Sequence, residues 1–238
     1  MSRSRKPFIK SANPRVGFSR HSRPRDDAFL NVPYDEKYEP LLLAFIAGLC
    51  RFGLTPRATI EIPGSQRRLD RIIKLLDECS YSFHDLSRVT LDRAGPPAPR
   101  FNMPFELGLA VAKAQGSRGH QHRWFVFESK PHRLNKSLSD LDGTDPYIHA
   151  NKPVGVLRAL MNALVQNRDP VTLPELEVVY REVCIAASDL KKELRGASLF
   201  EAQAFKNLVY LASGIASFEA RFKNLVYLAN DIASRDSE

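Results

Sequence analysis

Tyr81-Ser-Phe-His-Asp-Leu-Ser87, followed after a proline-rich loop by Arg100-Phe-Asn-Met-Pro-Phe-Glu-Leu-Gly-Leu-Ala110, sets the architecture expected for this 238-residue chain. The first segment is typical of a strand over Tyr81 to Leu86. The second opens an apolar helix that is predicted to run from Met103 to Gln115. A strand, a connecting loop and a covering helix form the repeating unit of a parallel sheet.

The segments on either side continue this alternation. Further strands are predicted at 28–32, 57–62, 124–127 and 147–149. Further helices are predicted at 38–52, 66–80, 136–141 and 154–166. The helix at 66–80 is expected to have Ser65 as its N-cap and an apolar stripe of Leu69, Ile72, Ile73 and Leu76. With right-handed crossovers, this pattern favours an α/β flavodoxin-like fold, a five-stranded parallel sheet in the order 2-1-3-4-5 flanked by helices.

The predicted strand order locates a ligand crevice. Ligands of such sheets bind beyond the carboxyl ends of the strands, where the strand order reverses, which here is between the first and third strands. The residues expected at that crevice are Asn31, Pro33, Tyr34, Asp35, Asp85, Ser87, Asn102, Met103 and Glu106.

Glu106 admits two interpretations from the sequence. With Asn102 as N-cap and Pro104 in the first turn, Glu106 falls near the helix N-terminus, where a carboxylate stabilises a helix and is itself kept ionised. Alternatively, the carboxylate faces a bound sugar. Cleavage of an N-glycosidic bond develops positive charge on the ribose, which a carboxylate can stabilise or trap as an ester.

The two segments quoted above resemble the signature of TIR-like and nucleoside 2-deoxyribosyltransferase-like domains. In that superfamily a strand ending in Asp-Leu-Ser or Asp-Leu-Thr precedes a helix bearing Glu-Leu-Gly or Glu-Ile-Gly. Phe29-Leu-Asn-Val-Pro-Tyr-Asp35 is similar to the first strand and ligand-facing loop of the group, and Ser139-Asp-Leu-Asp-Gly-Thr-Asp145 with His149 is similar to bacterial TIR-like proteins. The resemblance covers roughly residues 28–166.

The resemblance implies a catalytic Glu106, an Asp85 that helps to hold the nucleoside, and a Tyr34 that lines the ribose or phosphate side with Pro33. It implies NAD as a substrate rather than a cofactor, cleavage of its nicotinamide–ribose bond, and an antiviral or stress role gated by oligomerisation. No TIR BB-loop motif follows the second strand, and no Ser or Cys stands just ahead of the glutamate. The substrate therefore stays open between NAD, a deoxynucleoside and a nucleotide signal.

Two other functions stay open from the sequence. The first is a nucleoside 2-deoxyribosyltransferase or nucleotide N-glycosidase that uses the same glutamate. The second is a non-catalytic nucleotide-sensing or oligomerisation module in which Glu106 only caps its helix. No metal site is expected, because His120 and His122 lack a spaced cysteine or carboxylate partner.

The charge of the chain is concentrated at its N-terminus. Residues 1–25 hold eight basic side chains and no acidic one, and they account for the whole formal net charge of +8. Residues 1–27 are therefore interpreted as a disordered basic arm, which is either a solvated tail or a segment that binds polyanions nonspecifically. Three sparse cysteines, no secretory h-region and no apolar run of membrane-spanning length predict a cytoplasmic protein without a membrane segment.

Residues 28–168 are interpreted as the nucleotide-binding domain and residues 169–238 as an all-helical appendage. A long helix is predicted at 174–194, and an identical octapeptide then occurs at 205–212 and 222–229. On one straight helix, a 17-residue offset turns the second apolar stripe by roughly a quarter turn. A break near Ser213-Gly214, giving a helical hairpin, is therefore expected. The repeat is interpreted either as a duplication that lengthens a helical cap or as an element for self-association or partner binding.

Overall fold

The computed structural model describes residues 26–62, 64–88, 91–92, 98–99, 101–116, 122–134, 138–141 and 143–235. The predicted basic arm lies, apart from its last two residues, outside this part of the chain. Five strands form one parallel sheet: β1 (Asp27–Asn31), β2 (Thr55–Arg57), β3 (Tyr81–Asp85), β4 (Arg123–Glu128) and β5 (Tyr147–Ile148). Their order is β2-β1-β3-β4-β5, which confirms the predicted flavodoxin-like topology.

Six α-helices accompany the sheet in the described residues: α1 (Glu39–Arg51), α2 (Arg68–Glu78), α3 (Asn102–Gly116), α4 (Pro153–Leu164), α5 (Leu173–Glu193) and α6 (Ala202–Arg235). Short 3₁₀ turns lie at Glu36–Tyr38, Thr59–Glu61 and Ser139–Leu141. Leu91–Asp92 and Ala98–Pro99 pair as a small antiparallel ribbon inside the segment predicted to be a loop.

The prediction of a second strand at 57–62 was wrong beyond Arg57. Thr59–Glu61 forms a 3₁₀ turn, because the Glu61 carboxylate accepts a hydrogen bond from the Ala58 N–H and pairs with Arg57. The strand lies earlier and contains Pro56, which is tolerated because β2 is an edge strand.

The start and the buried face of α2 also differ from the prediction. The helix begins at Arg68 with Arg67 before it and no side-chain cap, so Ser65 is not the N-cap. Its buried residues are Ile72, Leu75 and Leu76. Leu69 and Ile73 are partly exposed, because the helix is rotated toward the sheet by part of a turn relative to the predicted stripe.

The sheet is covered on both faces, as a parallel sheet requires. On one face, α2 and α3 pack through Ile72, Leu75 and Ala110 around Phe29. On the other face, α1 is buried along nearly its whole length: Phe45 lies against Phe127, and the far side of α1 contacts α4, α5 and α6.

The C-terminal helices share the core of the sheet domain. Leu176, Val183, Phe205 and Leu208 belong to the same buried cluster as the residues of α1. The predicted helical hairpin was wrong, since α6 runs without a break through Ser213 and Gly214. Within the described residues, no helix is both long enough and apolar enough to cross a membrane.

Candidate functional site

The carboxyl ends of β1 and β3 lie side by side, and α3 packs against them. Asn31 Nδ2 at the end of β1 donates to His84 Nδ1 at 2.9 Å and to the Met103 carbonyl oxygen at 3.2 Å. Asn31 and Met103 are both buried. Asn31 therefore joins β1, β3 and the first turn of α3, and it fixes where that helix begins relative to the sheet.

A chain of hydrogen bonds continues from His84 along β3 to Ser82, and from there to His122 and Cys79. Because Nδ1 of His84 accepts from Asn31, its Nε2–H donates to Ser82 Oγ at 2.9 Å, and Ser82 in turn donates to His122 Nε2 at 2.8 Å. His122 Nδ1–H then donates to the Cys79 carbonyl oxygen at 3.0 Å. Burial lowers the pKa of His84 to about 3 and also lowers the pKa of His122, so both rings are neutral.

Glu106 lies in the fifth position of α3, beyond the first turn, with its side chain turned inward. Only 2% of the residue is exposed, and Oε1 accepts from Arg68 Nη2 of α2 at 3.2 Å. Burial raises the pKa of Glu106, and the charge and hydrogen bond of Arg68 partly oppose that rise. The placement of Glu106 in the first turn of its helix was wrong, and its ion-pair partner is Arg68.

Tyr34 lies beside this ion pair. Its hydroxyl is 3.1 Å from Thr59 Oγ1, and its ring packs on Phe200, with 5.9 Å between the ring centroids. Burial raises the pKa of Tyr34 to about 12, and the nearby Glu106 carboxylate adds to the rise. The hydroxyl is therefore neutral and available as a hydrogen-bond donor.

Asp85 is fully buried and is held by groups of its own chain. Its carboxylate accepts from the Tyr38 hydroxyl and from the Ser87 N–H, the latter at 2.7 Å, and His149 Nε2 lies 3.3 Å from Oδ2. Burial alone would raise the pKa of Asp85. The contacts with His149, Tyr38 and Ser87 outweigh that effect and leave the pKa below its ordinary value.

The remaining predicted residues differ in exposure. Pro33 and Ser87 are buried, whereas Asn102 is exposed at the start of α3. Ser87 Oγ has no hydrogen-bond partner among the described residues. Arg133 donates to the carbonyl oxygens of Leu86 and Ser87 and so braces the loop after β3.

The structure thus brings the predicted residues into three groups. Asn31 donates directly to the Met103 carbonyl oxygen, Asp85 accepts from the Ser87 N–H, and Tyr34 lies close enough to Glu106 to feel the charge of its carboxylate.

Sequence reasoning missed Arg68, Thr59, His149 and Phe200 as neighbours of these groups. Arg68 could have been found, because the helix that follows β2 starts at the same sheet edge as the crevice. Phe200 could not, since no pattern in the sequence shows which surface the C-terminal helices cover.

Within the described residues, no group of three or more His, Cys, Asp or Glu side chains is placed to hold a metal ion. His122 is occupied by Ser82 and Cys79, and His120 lies outside those residues. Comparison of the chain with protein-family models, with curated proteins and with solved structures gave no match.

Proposed function

We propose that this chain cleaves the N-glycosidic bond between nicotinamide and ribose in NAD, with Glu106 as the reacting carboxylate. One observation carries the proposal: a buried carboxylate on α3, at the edge of the sheet where open α/β folds bind ligands, which does not cap its helix. Burying a carboxylate costs free energy, and a carboxylate that only caps a helix can stay in the solvent.

The chemistry follows from that placement. As the C1′–N bond breaks, its electron pair moves to the pyridine nitrogen and neutral nicotinamide leaves, while positive charge develops on the ribose. The Glu106 carboxylate stabilises this charge or bonds to C1′ as an ester, and water then adds to C1′ and gives up a proton. The low-dielectric surroundings of Glu106 strengthen its attraction to the developing cation.

Arg68 is the second residue with a proposed role in catalysis. Its side chain is about half exposed while its guanidinium contacts Glu106, so it can meet a substrate phosphate from the solvent side. A guanidinium binds phosphate through paired N–H donors. A phosphate that engages Arg68 draws the counterion from Glu106 and leaves that carboxylate free to act on the ribose.

The other residues position the substrate or the carboxylate in this proposal. The groups assigned to the ribose are the Tyr34 hydroxyl, which shares a hydrogen bond with Thr59, and the buried Ser87 hydroxyl, which has no partner among the described residues. Asp85, which is enclosed by Tyr38, Ser87 and His149, holds the loop that carries Ser87. By the resemblance stated above, the proposed role is antiviral or stress defence in the cytoplasm, carried out by a homo-oligomer.

The test uses the full chain with NAD, and free nicotinamide is measured by chromatography. Wild-type protein is expected to release nicotinamide, and Glu106→Gln is expected to release at least about 100-fold less, because a carboxylate that stabilises transition-state charge is lost. Glu182→Gln removes an exposed carboxylate on α5 and serves as the matched control with wild-type activity.

A parallel incubation with deoxynucleosides and free bases distinguishes the alternative. Base exchange that depends on Glu106, without release of nicotinamide, would show a deoxyribosyltransferase and overturn the proposed substrate. Wild-type protein inactive in both incubations would support a non-catalytic module.

A further inference from the structure

The second half of α6 carries an exposed apolar stripe. Phe218, Phe222 and Leu225 are 66%, 56% and 65% exposed, whereas Phe205 and Leu208, the equivalents of Phe222 and Leu225 in the first copy of the repeat, are fully buried. The Phe and the first Leu of the octapeptide are thus buried in the core in one copy and exposed in the other. This difference arises because the 17-residue offset on an unbroken helix turns the second stripe by about 100°.

The exposed stripe has the spacing of a coiled-coil seam. Its exposed members are Leu211, Phe218, Phe222 and Leu225. Ile215 lies on the same line but is partly buried against the core, and the sequence continues the series with Ala229 and Ile232. Successive intervals alternate between four and three residues over about three heptads, which is the a/d pattern of helices that pair along their length. None of the seven positions is charged.

The C-terminal part of this stripe extends past the start of α5. Lys223 Nζ contacts Glu175 Oε1 at 2.5 Å, in the first turn of α5, so α6 passes the start of α5 near residue 223. The helix continues for another twelve residues to Arg235, which is about 18 Å at 1.5 Å per residue. At its other end, α6 begins just after Phe200, which packs on Tyr34.

We infer that this stripe is a dimerisation seam, which pairs with the same helix of a second copy of this chain. The exposed apolar area suits that partner. Taking roughly 200 Å² for a fully exposed large apolar side chain, Leu211, Phe218, Phe222 and Leu225 leave on the order of 400 Å² per copy. Two copies bury about 800 Å² through these residues, and the flanking positions extend this toward the ~1,200 Å² at which specific interfaces begin.

Charge and sequence both favour a second copy over a different partner. Outside residues 1–25, basic and acidic residues are equal in number, so the folded parts of two copies meet without net repulsion. An a/d seam is complementary to itself, because each knob fits the hole between four residues of a like helix. The inference rests on the spacing and exposure of α6 and is independent of the proposed N-glycosidic chemistry.

The test measures the mass of the full chain in solution by light scattering and sedimentation over a range of protein concentrations. Wild-type protein is expected to be a dimer at high concentration. Phe222→Glu is expected to raise the dissociation constant at least about tenfold, because it would bury an unpaired charge in the seam. Circular dichroism checks that the variant keeps its helical content.

Tyr210→Glu is the matched control. Tyr210 is 81% exposed on the same helix but lies outside the a/d positions, so the variant is expected to dimerise like the wild type. A wild-type protein that stays monomeric at its highest soluble concentration would overturn the inference. A dissociation constant that Phe222→Glu leaves unchanged, or that Tyr210→Glu raises by the same factor, would also overturn it.

Discussion

Glu106 and Asp85 are both buried carboxylates, but their surroundings move their pKa values in opposite directions. Asp85 meets three groups that favour its charged form, whereas Glu106 has one partner, Arg68, that only partly offsets the effect of burial. Pairs of acids with opposed environments commonly divide roles in a site. Here Asp85 suits a fixed anion that orders the loop after β3, and Glu106 suits the group that reacts.

The Arg68–Glu106 pair predicts the acid limb of the pH profile of the proposed reaction, which is the range in which the rate falls as the pH is lowered. Since the pKa of Glu106 is raised, nicotinamide release should increase with pH through a value above the ordinary glutamate range. Arg68→Met removes the charge that opposes this rise and should move the limb to still higher pH, whereas Arg68→Lys should move it less. The measurement is kcat/KM against pH, which reports the free enzyme.

If Arg68 binds a substrate phosphate, the loss of that contact in Arg68→Met lowers kcat/KM by the same factor at all pH values. Only the contact with Glu106 shifts the limb along the pH axis. A limb at the wild-type position in Arg68→Met would contradict the role of Arg68 as the counterion of Glu106.

Asp85 predicts a pH-dependent contribution to stability. Because its folded pKa is lowered, the stabilisation is present above the unfolded value of about 3.9 and is lost as the pH falls through the folded value. Asp85→Asn should lower the free energy of unfolding by about 2 to 4 kcal/mol at neutral pH and should remove this acid-sensitive component. Urea unfolding from neutral to acidic pH measures both effects.

Asp189→Asn is the control for this prediction. Asp189 pairs with Lys192 on the exposed face of α5, and such surface pairs contribute less than about 1 kcal/mol. Equal stability losses in the two variants would refute the special placement of Asp85.

At the scale of single elements, the sequence predicted the strands and helices whose hydrophobic period is strong. The order of the sheet followed from the βα alternation. The placement of Asn31 and Asp85 at adjacent strand ends, with Glu106 on the helix that packs there, followed from that order. The errors occurred where local side-chain contacts compete with the pattern. Glu61 closes a turn inside the supposed second strand, and docking of Phe205 and Leu208 on the body leaves α6 straight, although its second apolar stripe then faces solvent.

Two glycines test the geometry of the helices. A Cβ on Gly155 would lie 2.0 Å from the His149 carbonyl oxygen, so Gly155→Ala must push α4 away from the residue that faces Asp85. Its expected cost is about 2 kcal/mol or more in unfolding free energy. Gly214 has no neighbour within 4 Å of such an atom, so Gly214→Ala should stabilise the continuous helix by about 0.5–1 kcal/mol.

Thermal and urea unfolding compare the two variants with the wild type. A loss of stability in Gly214→Ala would indicate that the helix breaks at this position, as the repeat alone had suggested. A Gly155→Ala protein as stable as the wild type would contradict the close approach of α4 to His149.

At the scale of the whole molecule, the C-terminal helices complete the core. They cover the side of α1 that faces away from the sheet, and Phe200 also packs on Tyr34 at the candidate site. The sequence separated residues 169–238 by their composition, but composition does not reveal which surface a helix covers. The available signal was in α1 itself. Its residues are apolar almost all round the helix, which indicates that the helix is covered on both sides.

Two truncations test how far this shared core extends. Deletion of 222–238 removes part of the exposed stripe and, at a protein concentration at which the wild type is monomeric, should leave the unfolding temperature close to that of the wild type. Deletion of 197–238 also removes Phe205, Leu208 and Ala212 from the core. Large buried side chains such as Phe205 and Leu208 each contribute roughly 1.5–3 kcal/mol, against a total stability of about 5–15 kcal/mol.

The longer deletion should therefore abolish cooperative thermal unfolding, followed by circular dichroism. If that protein unfolds cooperatively at the wild-type temperature, the C-terminal helices are an appendage and not part of the core.

Binding and turnover measured on the same Glu106→Gln protein test the central claim most directly. Calorimetry gives the dissociation constant for NAD, and single-turnover mixing gives the rate of nicotinamide release. If Glu106 is the reacting carboxylate, the variant binds NAD within about tenfold of the wild type but releases nicotinamide at least about 100-fold more slowly. A variant that binds and releases at wild-type rates, or a wild-type protein that binds NAD and never releases nicotinamide, would contradict it.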